Sequence, residues 1–265
     1  MSGNPRGNII MDLSLLEYLW VMLGSFVAGA INTLAGNGSV ITLSILTDLV
    51  GLPANLANGT NRVGVLLQAA GSSSGFAKSK LIDLSASKDI VVLTVIGAIL
   101  GVYTATIVSN EQFLFVFRYL MVFMLIVILV KPERWLHDAP RTKLPIWVNI
   151  PVFLALGFYG GFIQMGMGIF FLAILVLVSK YSIMRANAIK TIVIMIYTTI
   201  VLAIFAWKGL VSWEAGLIMA LGQTVGGYLT AAYATKIPNI NLWAYRLLIF
   251  IIIFAILTQF GWIDF

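Results

Sequence analysis

The feature that most limits how this chain can fold is a break in its first apolar run, at residues 36–39, which read Gly-Asn-Gly-Ser. Apolar residues flank the break on both sides, near residues 13–35 and 39–50. Lipid cannot pair with the N–H and C=O groups that a helix break frees. We therefore expect this backbone to be buried in protein or to line a wet cavity.

A second break interrupts an apolar run in the other half of the chain, within the glycine-rich stretch at residues 157–168. Short apolar segments follow the two breaks, at residues 39–50 and 168–179. A helix of that length reaches only about 18 Å, against a hydrocarbon core of roughly 30 Å. We therefore predict two half-helices, and paired broken helices in two halves point to the binding site of a transporter.

The composition indicates what surrounds these breaks. Hydrophobic residues make up 60% of the 265 residues and charged residues only 10%, with a mean hydropathy of +1.01. Such a chain has too little polar surface for a soluble globule, and its apolar runs are long enough to cross a bilayer. We predict an all-α polytopic membrane protein whose partner is the lipid bilayer. No nucleic-acid partner is expected, because the basic residues lie in short loops between apolar runs.

The apolar runs predict two sets of helices, each made of a broken or re-entrant pair followed by three transmembrane helices. The first repeat, residues 1–130, has helices expected near 13–35, 39–50, 54–77, 89–108 and 113–130. The second repeat, residues 146–265, has helices expected near 146–165, 168–179, 183–206, 213–234 and 241–262. Between them, residues 131–145 form the longest polar connection and are predicted to be a cytoplasmic linker.

The two sets of helices align by sequence register. At a displacement of 129 residues, Asn58 falls on Asn187 and Asn61 falls on Lys190. Single matches of this kind are weak evidence, because apolar helices resemble one another, but the order of the elements agrees throughout. We therefore predict an internal repeat.

Loop charges indicate how the two repeats are oriented. If each broken pair returns to its own side of the membrane, the second repeat is inverted and ten loop Lys and Arg residues share one face. Only Arg6 and Lys208 then lie on the other face. Because cytoplasmic loops are enriched in Lys and Arg, this count favours inverted-topology repeats with both termini outside. The alternative is a single kinked span over residues 13–50, which would make the repeats parallel.

Two cations are too polar for their predicted depth. Arg62 lies about two turns into a long apolar helix, and Lys190 has a nearly matching place in the second repeat. A charge inside the membrane costs roughly 2.5–3.5 kcal/mol on insertion scales and indicates a functional site. The alternatives are snorkelling to the interface, or an ion pair with Asp48 or Glu17.

The ligand expected at such a site is a small anion. Broken helices present free N–H groups and the positive ends of helix dipoles, and the two cations add charge of the same sign. No cofactor or metal is expected, and an enzyme is disfavoured, since the chain has no cysteine and its single His137 lies in a polar loop. The predicted substrate-binding residues are Asn32, Gly36, Asn37, Gly38, Ser39, Asn58, Thr60, Asn61, Arg62, Gln164, Gly166, Gly168, Asn187 and Lys190.

The motifs around the first break resemble those of a known family. The stretch Gly-Asn-Gly-Ser-Val-Ile-Thr-Leu at residues 36–43 is followed by Ala-Asn-Gly-Thr-Asn-Arg at residues 57–62. A basic loop then precedes Leu-Ile-Asp at residues 81–83. This pattern is similar to that of the TauE/SafE sulfite exporter family of bacterial and archaeal inner-membrane permeases, which carries a duplicated glycine-rich motif.

The resemblance implies a permease of the cell inner membrane that moves sulfite, a sulfonate or a related sulfur-containing oxyanion. It also implies functional roles for four residues of the second stretch, Asn58, Thr60, Asn61 and Arg62. We expect alternating access at a site between the two repeats. An anion channel or a non-transporting membrane subunit is the alternative.

Overall fold

The protein is helical throughout the residues that its computed structural model describes, which are 14–81, 88–105, 145–162 and 164–262 with six positions between 119 and 129. No strand occurs among these residues, in agreement with the predicted all-α class. The helices are α1 (Leu15–Leu34), α2 (Gly38–Ser44), α3 (Ala54–Lys78), α4 (Lys88–Ala105), α5 (Ile146–Phe162), α6 (Met167–Ala173), α7 (Ile183–Trp207), α8 (Trp213–Tyr233) and α9 (Ile240–Gln259).

Most predicted helix bounds are confirmed to within about three residues, the scatter expected for helix ends. The end of α5 is an instructive difference, because it is predicted at residue 165 and lies at Phe162. Gln164 and Gly166 have φ angles of +67° and +74°, so the chain turns into the left-handed region and the helix cannot continue. Three predicted segments lie largely or wholly outside the described residues: the tail at 1–12, the helix at 113–130 and the linker at 131–145.

Local sequence signals set the ends of α1. The Ser14 hydroxyl accepts a hydrogen bond from the Glu17 N–H at 3.3 Å, and the Glu17 carboxylate accepts one from the Ser14 N–H at 2.7 Å. This reciprocal pair is a capping box, which satisfies backbone donors at the helix start. At the other end the chain leaves α1 through Gly36, whose φ of +81° costs glycine little. The predicted break is therefore present at the predicted place.

Each half-helix ends in a wider turn. α2 continues as a π-helical segment at Ile45–Leu49, and α6 continues as one at Ile174–Val178. Such π segments are rare and occur most often at functional sites. Both halves of the chain therefore carry the same uncommon irregularity directly after their breaks.

The helix bounds of the two halves match at one displacement. Moving α2, its π-helical segment and α3 forward by 129 residues reproduces the bounds of α6, its π-helical segment and α7. The left-handed turns at Gly51 and Lys180, with φ angles of +74° and +61°, match at the same displacement. Equal spacing of irregular features supports the predicted duplication more strongly than equal spacing of apolar helices does.

The two halves are interleaved. α1 packs along α8, and α4 packs along α5, so the first helix of each half lies against a late helix of the other half. Glycines make these contacts close: a Cβ on Gly226 would lie 2.1 Å from the Phe26 carbonyl oxygen, and one on Gly97 would lie 2.1 Å from that of Leu154. These glycines are close-packing positions, as is usual between helices in membranes.

The distribution of polarity matches a membrane environment. Three of the described helices, α1, α4 and α7, are long and apolar enough to cross a membrane. Large apolar side chains such as Trp20 and Leu100 are 60% and 58% exposed, whereas Arg62 and Lys190 are among the largest fully buried side chains. The protein therefore places apolar groups outward and its most polar groups at the centre.

Candidate functional site

The two breaks meet in the protein interior. A Cβ on Gly36 would lie 2.5 Å from the carbonyl carbon of Gly168, and a Cβ on Gly168 would lie 2.5 Å from the Gly36 Cα. The backbones of the two halves are therefore in direct contact at this point, where neither has room for a side chain. We call this contact the crossing, and define it by residues 36–39 and 164–168. The predicted association of the two glycine motifs is present in the structure.

Arg62, on α3, is fully buried and bonds to the end of α5. Its Nη1 donates to the Gly160 carbonyl at 2.8 Å, and its Nη2 donates to the Gly161 carbonyl and to Asn58 Oδ1, both at 3.3 Å. Asn58 itself donates from Nδ2 to the Phe162 carbonyl at 3.4 Å. These carbonyls belong to the last turn of α5, where a helix has no partners of its own for its C=O groups.

Lys190, on α7, makes the corresponding contacts with the end of α1. Its ammonium donates to the carbonyls of Asn32 at 2.8 Å and Thr33 at 3.2 Å, and to Asn187 Oδ1 at 2.6 Å. Asn187 Nδ2 donates to the Leu34 carbonyl at 2.9 Å. A cation and an asparagine from each half thus hold the carboxyl end of the broken helix of the other half, where the helix dipole favours positive charge.

Both alternative interpretations of Arg62 are wrong. The side chain has no exposed surface, so it does not snorkel to an interface. It forms no ion pair with Glu17 or Asp48, because Glu17 bonds to Ser14 in the capping box and the exposed Asp48 accepts from the Thr47 hydroxyl. The charge of Arg62 is instead balanced by carbonyl dipoles and by the ring of Phe205, whose centroid lies 5.6 Å from the guanidinium carbon.

Several buried polar atoms at and beside the crossing have no hydrogen-bonding partner. They are both amide atoms of Asn37, Nδ2 of Asn61, Nε of Arg62 and Oε1 of Gln164. Each of these side chains is at most 4% exposed. Asn61 is held by its other amide atom, since Oδ1 accepts from the Thr42 hydroxyl at 2.7 Å. A buried unpaired polar group is destabilising by about 1–3 kcal/mol, so such a concentration of them calls for a ligand or another functional reason.

A buried hydrogen-bond network adjoins the end of α1, and its members besides Asn32 are not among the predicted site residues. Asn32 Nδ2 donates to Gln68 Oε1 at 2.7 Å, and Gln68 Nε2 donates to Thr33 Oγ1 at 2.9 Å and to Ser72 Oγ at 2.8 Å. The signal for it was available in the spacing, because Asn61, Gln68 and Ser72 recur on α3 at intervals of seven and four residues. The network fixes Asn32, so the last turn of α1 is held by side-chain as well as main-chain contacts.

The other predicted site residues have packing roles in this structure. The Thr60 hydroxyl accepts a hydrogen bond at 2.9 Å from the N–H of Ser212, which precedes α8. Gly38 packs against α1, where a Cβ would lie 2.1 Å from the Ala28 carbonyl oxygen. Ser39 is buried at the start of α2, and Gly166 supplies the left-handed turn before α6.

Interleaved helical halves whose broken helices meet beside buried cations define a class of protein, the polytopic membrane transporters. The family model for the sulfite exporter TauE/SafE matches residues 21–260, so the chain belongs to that family. The resemblance seen in the sequence motifs is confirmed.

Similar curated proteins carry transporter names. The probable membrane transporter protein ORF9 of Sinorhizobium sp. is 25% identical over 225 residues, covering 85% of this chain and 86% of that protein. A probable membrane transporter protein of Haemophilus influenzae is 25% identical over 83% of this chain and 86% of its own length. The probable membrane transporter protein YfcA of Escherichia coli is 26% identical over 76% of this chain and 75% of its own length. No solved structure matches the chain significantly.

Proposed function

We propose that this protein is an inner-membrane permease that moves sulfite, a sulfonate or a related sulfur-containing oxyanion by alternating access at the crossing. The observation that carries the proposal is the meeting of two broken helices beside two fully buried cations and a set of unpaired polar groups. The name of the family supports a sulfur oxyanion as the substrate.

The charge balance of the interior favours an anion. Arg62 and Lys190 bring two positive charges to the protein centre, and their hydrogen-bonding partners are carbonyl and amide oxygens. The carboxylates among the described residues, Glu17, Asp48, Asp89 and Glu214, lie in or near first turns and not in the buried core. An anion bound at the crossing would neutralise charge that the protein itself leaves uncompensated.

The unpaired atoms fit an oxyanion. Arg62 Nε, Asn61 Nδ2 and Asn37 Nδ2 are N–H donors, and the oxygens of sulfite or a sulfonate are acceptors only in their ionised forms. A bond from the guanidinium to an oxyanion is charge-assisted and about twice as strong as a neutral one. The donors that the folded protein leaves free are therefore of the kind that the proposed substrate needs.

Alternating access requires two halves that can exchange roles. The symmetric pairing of α1 with α8 and of α5 with α4 is what two inverted repeats around one axis would produce. In such an arrangement, rocking of one half against the other opens the crossing first to one side of the membrane and then to the other.

The proposed inversion predicts that both chain termini face the periplasm or cell exterior while residues 131–145 face the cytoplasm. The chain has no cysteine, so single cysteines placed at Asp138 and Asp264 can be labelled without background. We expect an impermeant maleimide added to intact cells to label position 264 and not position 138. Labelling of both positions from the same side would contradict the inverted arrangement.

Transport itself is tested by counterflow in liposomes. Purified protein reconstituted into vesicles loaded with unlabelled sulfite should accumulate radiolabelled sulfite transiently, and the initial rate should saturate. Protein-free vesicles are the control, with chloride-loaded vesicles as a second control for exchange. Sulfite flux that never saturates and shows no counterflow would indicate a channel, and no sulfite flux at all would contradict the proposed substrate.

A further inference from the structure

We propose that Lys190 is a proton-binding site of the transport cycle, and that its ammonium is a removable clamp on the end of α1. The inference rests on the proposed transport function and adds its coupling ion. It follows from the number of bonds that the side chain makes, from its difference from Arg62, and from its surroundings.

The Lys190 side chain uses every donor that its charged form has. An ammonium carries three N–H groups, and the three oxygens of Asn32, Thr33 and Asn187 lie 2.8, 3.2 and 2.6 Å from Nζ. The neutral amine has two N–H groups and a lone pair, so it would leave one oxygen unpaired and direct the lone pair at it. Loss of the proton therefore weakens the hold on α1.

The equivalent clamp in the other half cannot be released in this way. Arg62 holds the carbonyls of Gly160 and Gly161, and a guanidinium stays protonated in proteins. The displacement of 129 residues places Lys190 opposite Asn61 and not opposite Arg62, so the two cations reach their helix ends from different positions. The protein thus has one permanent clamp and one that can lose its charge.

The surroundings of Lys190 offer no carboxylate within the described residues to keep the proton in place. The elements packed on α7 are α1, α3, α4, α5, α6 and α9. Arg62 on α3 is a second cation, the Tyr159 hydroxyl on α5 donates to the Met165 carbonyl, and the Tyr197 hydroxyl on α7 contacts Met167. The remaining charged or titratable groups lie in or near the terminal turns: Glu17 and Tyr18 on α1, Lys78 on α3, Lys88, Asp89 and Tyr103 on α4, Tyr245 and Arg246 on α9, and Arg185 on α7.

A bound anion and the Lys190 proton then stabilise each other. A negative charge at the crossing favours the charged lysine, and by linkage the charged lysine favours the anion by the same factor. Once the anion has left, the repulsion from Arg62 is no longer offset, and the proton can leave to water. The proton is taken from water on one side and returned on the other, so each turnover carries one proton with the anion.

The test compares the wild type with Lys190→Arg, which keeps the charge and several donors but does not release a proton. Both proteins are reconstituted with a trapped pH dye and given sulfite. Because the protonation of sulfite is common to both, the difference between them isolates the lysine. We expect the wild type to move about one more proton per sulfite than the variant, and the variant to retain counterflow.

Outcomes of the sulfite test divide cleanly. Equal proton movement in the two proteins would overturn this inference and leave the permease proposal standing. Absence of sulfite counterflow in the wild type would overturn the permease proposal first.

A second measurement applies if the arginine variant does not fold. Ala35, next to the clamped end of α1, is fully buried, and Ala35→Cys provides the only thiol in the chain. Its maleimide labelling, normalised to that of Gly209→Cys in an open turn, should rise as the pH increases. A ratio that stays flat with pH would overturn the inference, because the clamp would then not depend on a proton.

Discussion

Replacing Gly36 by alanine is expected to prevent the two halves from closing at the crossing, with loss of stable protein. The new Cβ would lie 2.5 Å from the Gly168 carbonyl carbon, and backbone atoms on both sides leave no flexible group to move away. The φ of +81° adds about 1–2 kcal/mol of conformational strain for any residue with a Cβ. Together with an overpacking cost of about 1–3 kcal/mol, this is a large part of the stability of a typical domain.

Two control variants separate the causes. Gly51→Ala has a φ of +74° but no atom within 4 Å of the new Cβ, so it carries only the conformational strain. Gly168→Ala carries only the steric clash, since its Cβ would meet the Gly36 backbone at 2.5 Å. We expect the melting temperature in detergent to fall least for Gly51→Ala and most for Gly36→Ala. Equal melting temperatures for Gly36→Ala and Gly51→Ala would show that the crossing is not a tight contact.

Arg62→Ala is expected to abolish sulfite transport. A charge-assisted hydrogen bond of roughly 1.5–3 kcal/mol corresponds to a tenfold to hundredfold loss of affinity if Arg62 contacts the anion. The alanine also leaves the Gly160 and Gly161 carbonyls without their donors, so some loss of thermal stability accompanies it. Arg62→Lys should recover only part of the activity, because one ammonium replaces a planar fork that reaches two carbonyls and Asn58.

The measurement for Arg62 is stabilisation of the purified protein by sulfite, recorded as a shift of the melting temperature against sulfite concentration. Arg246→Ala is the matched control, because Arg246 is exposed and rests on the ring of Trp243, with the guanidinium carbon 5.6 Å from its centroid. We expect the control to respond to sulfite like the wild type. A folded Arg62→Ala protein with unchanged apparent affinity would show that Arg62 only anchors α5.

The sequence predicted the helices well because their ends carry local signals. Ser14 with Glu17 starts α1, Gly36 ends it, and Gly51 with Pro53 separates α2 from α3. The duplication was also readable, since one displacement relates Asn58 to Asn187 and the structure repeats it in the bounds of the half-helices.

The partners of the two cations could not be predicted in the same way. The bonds from Arg62 to Gly160 and from Lys190 to Asn32 join residues 98 and 158 positions apart, and no local pattern encodes such pairs. Sequence reasoning directed both cations at a ligand beside helix amino ends. The structure instead shows them at the carboxyl ends of the broken helices, because four carbonyls per end need donors that lipid cannot supply.

The interleaving of the halves has a consequence for how the protein is made. The last turn of α1 emerges from the ribosome 158 residues before the lysine that bonds to it, and α8 follows later still. At synthesis rates of about 5–20 residues per second, the carboxyl end of α1 waits roughly 10–30 s for its donor. During that interval the nascent first half has open carbonyls and an unmatched glycine-contact face, so it should stay with the insertion machinery until the second half arrives. Neither half is then an independent folding unit, and separating them into two genes should yield stable protein only when both are synthesised together.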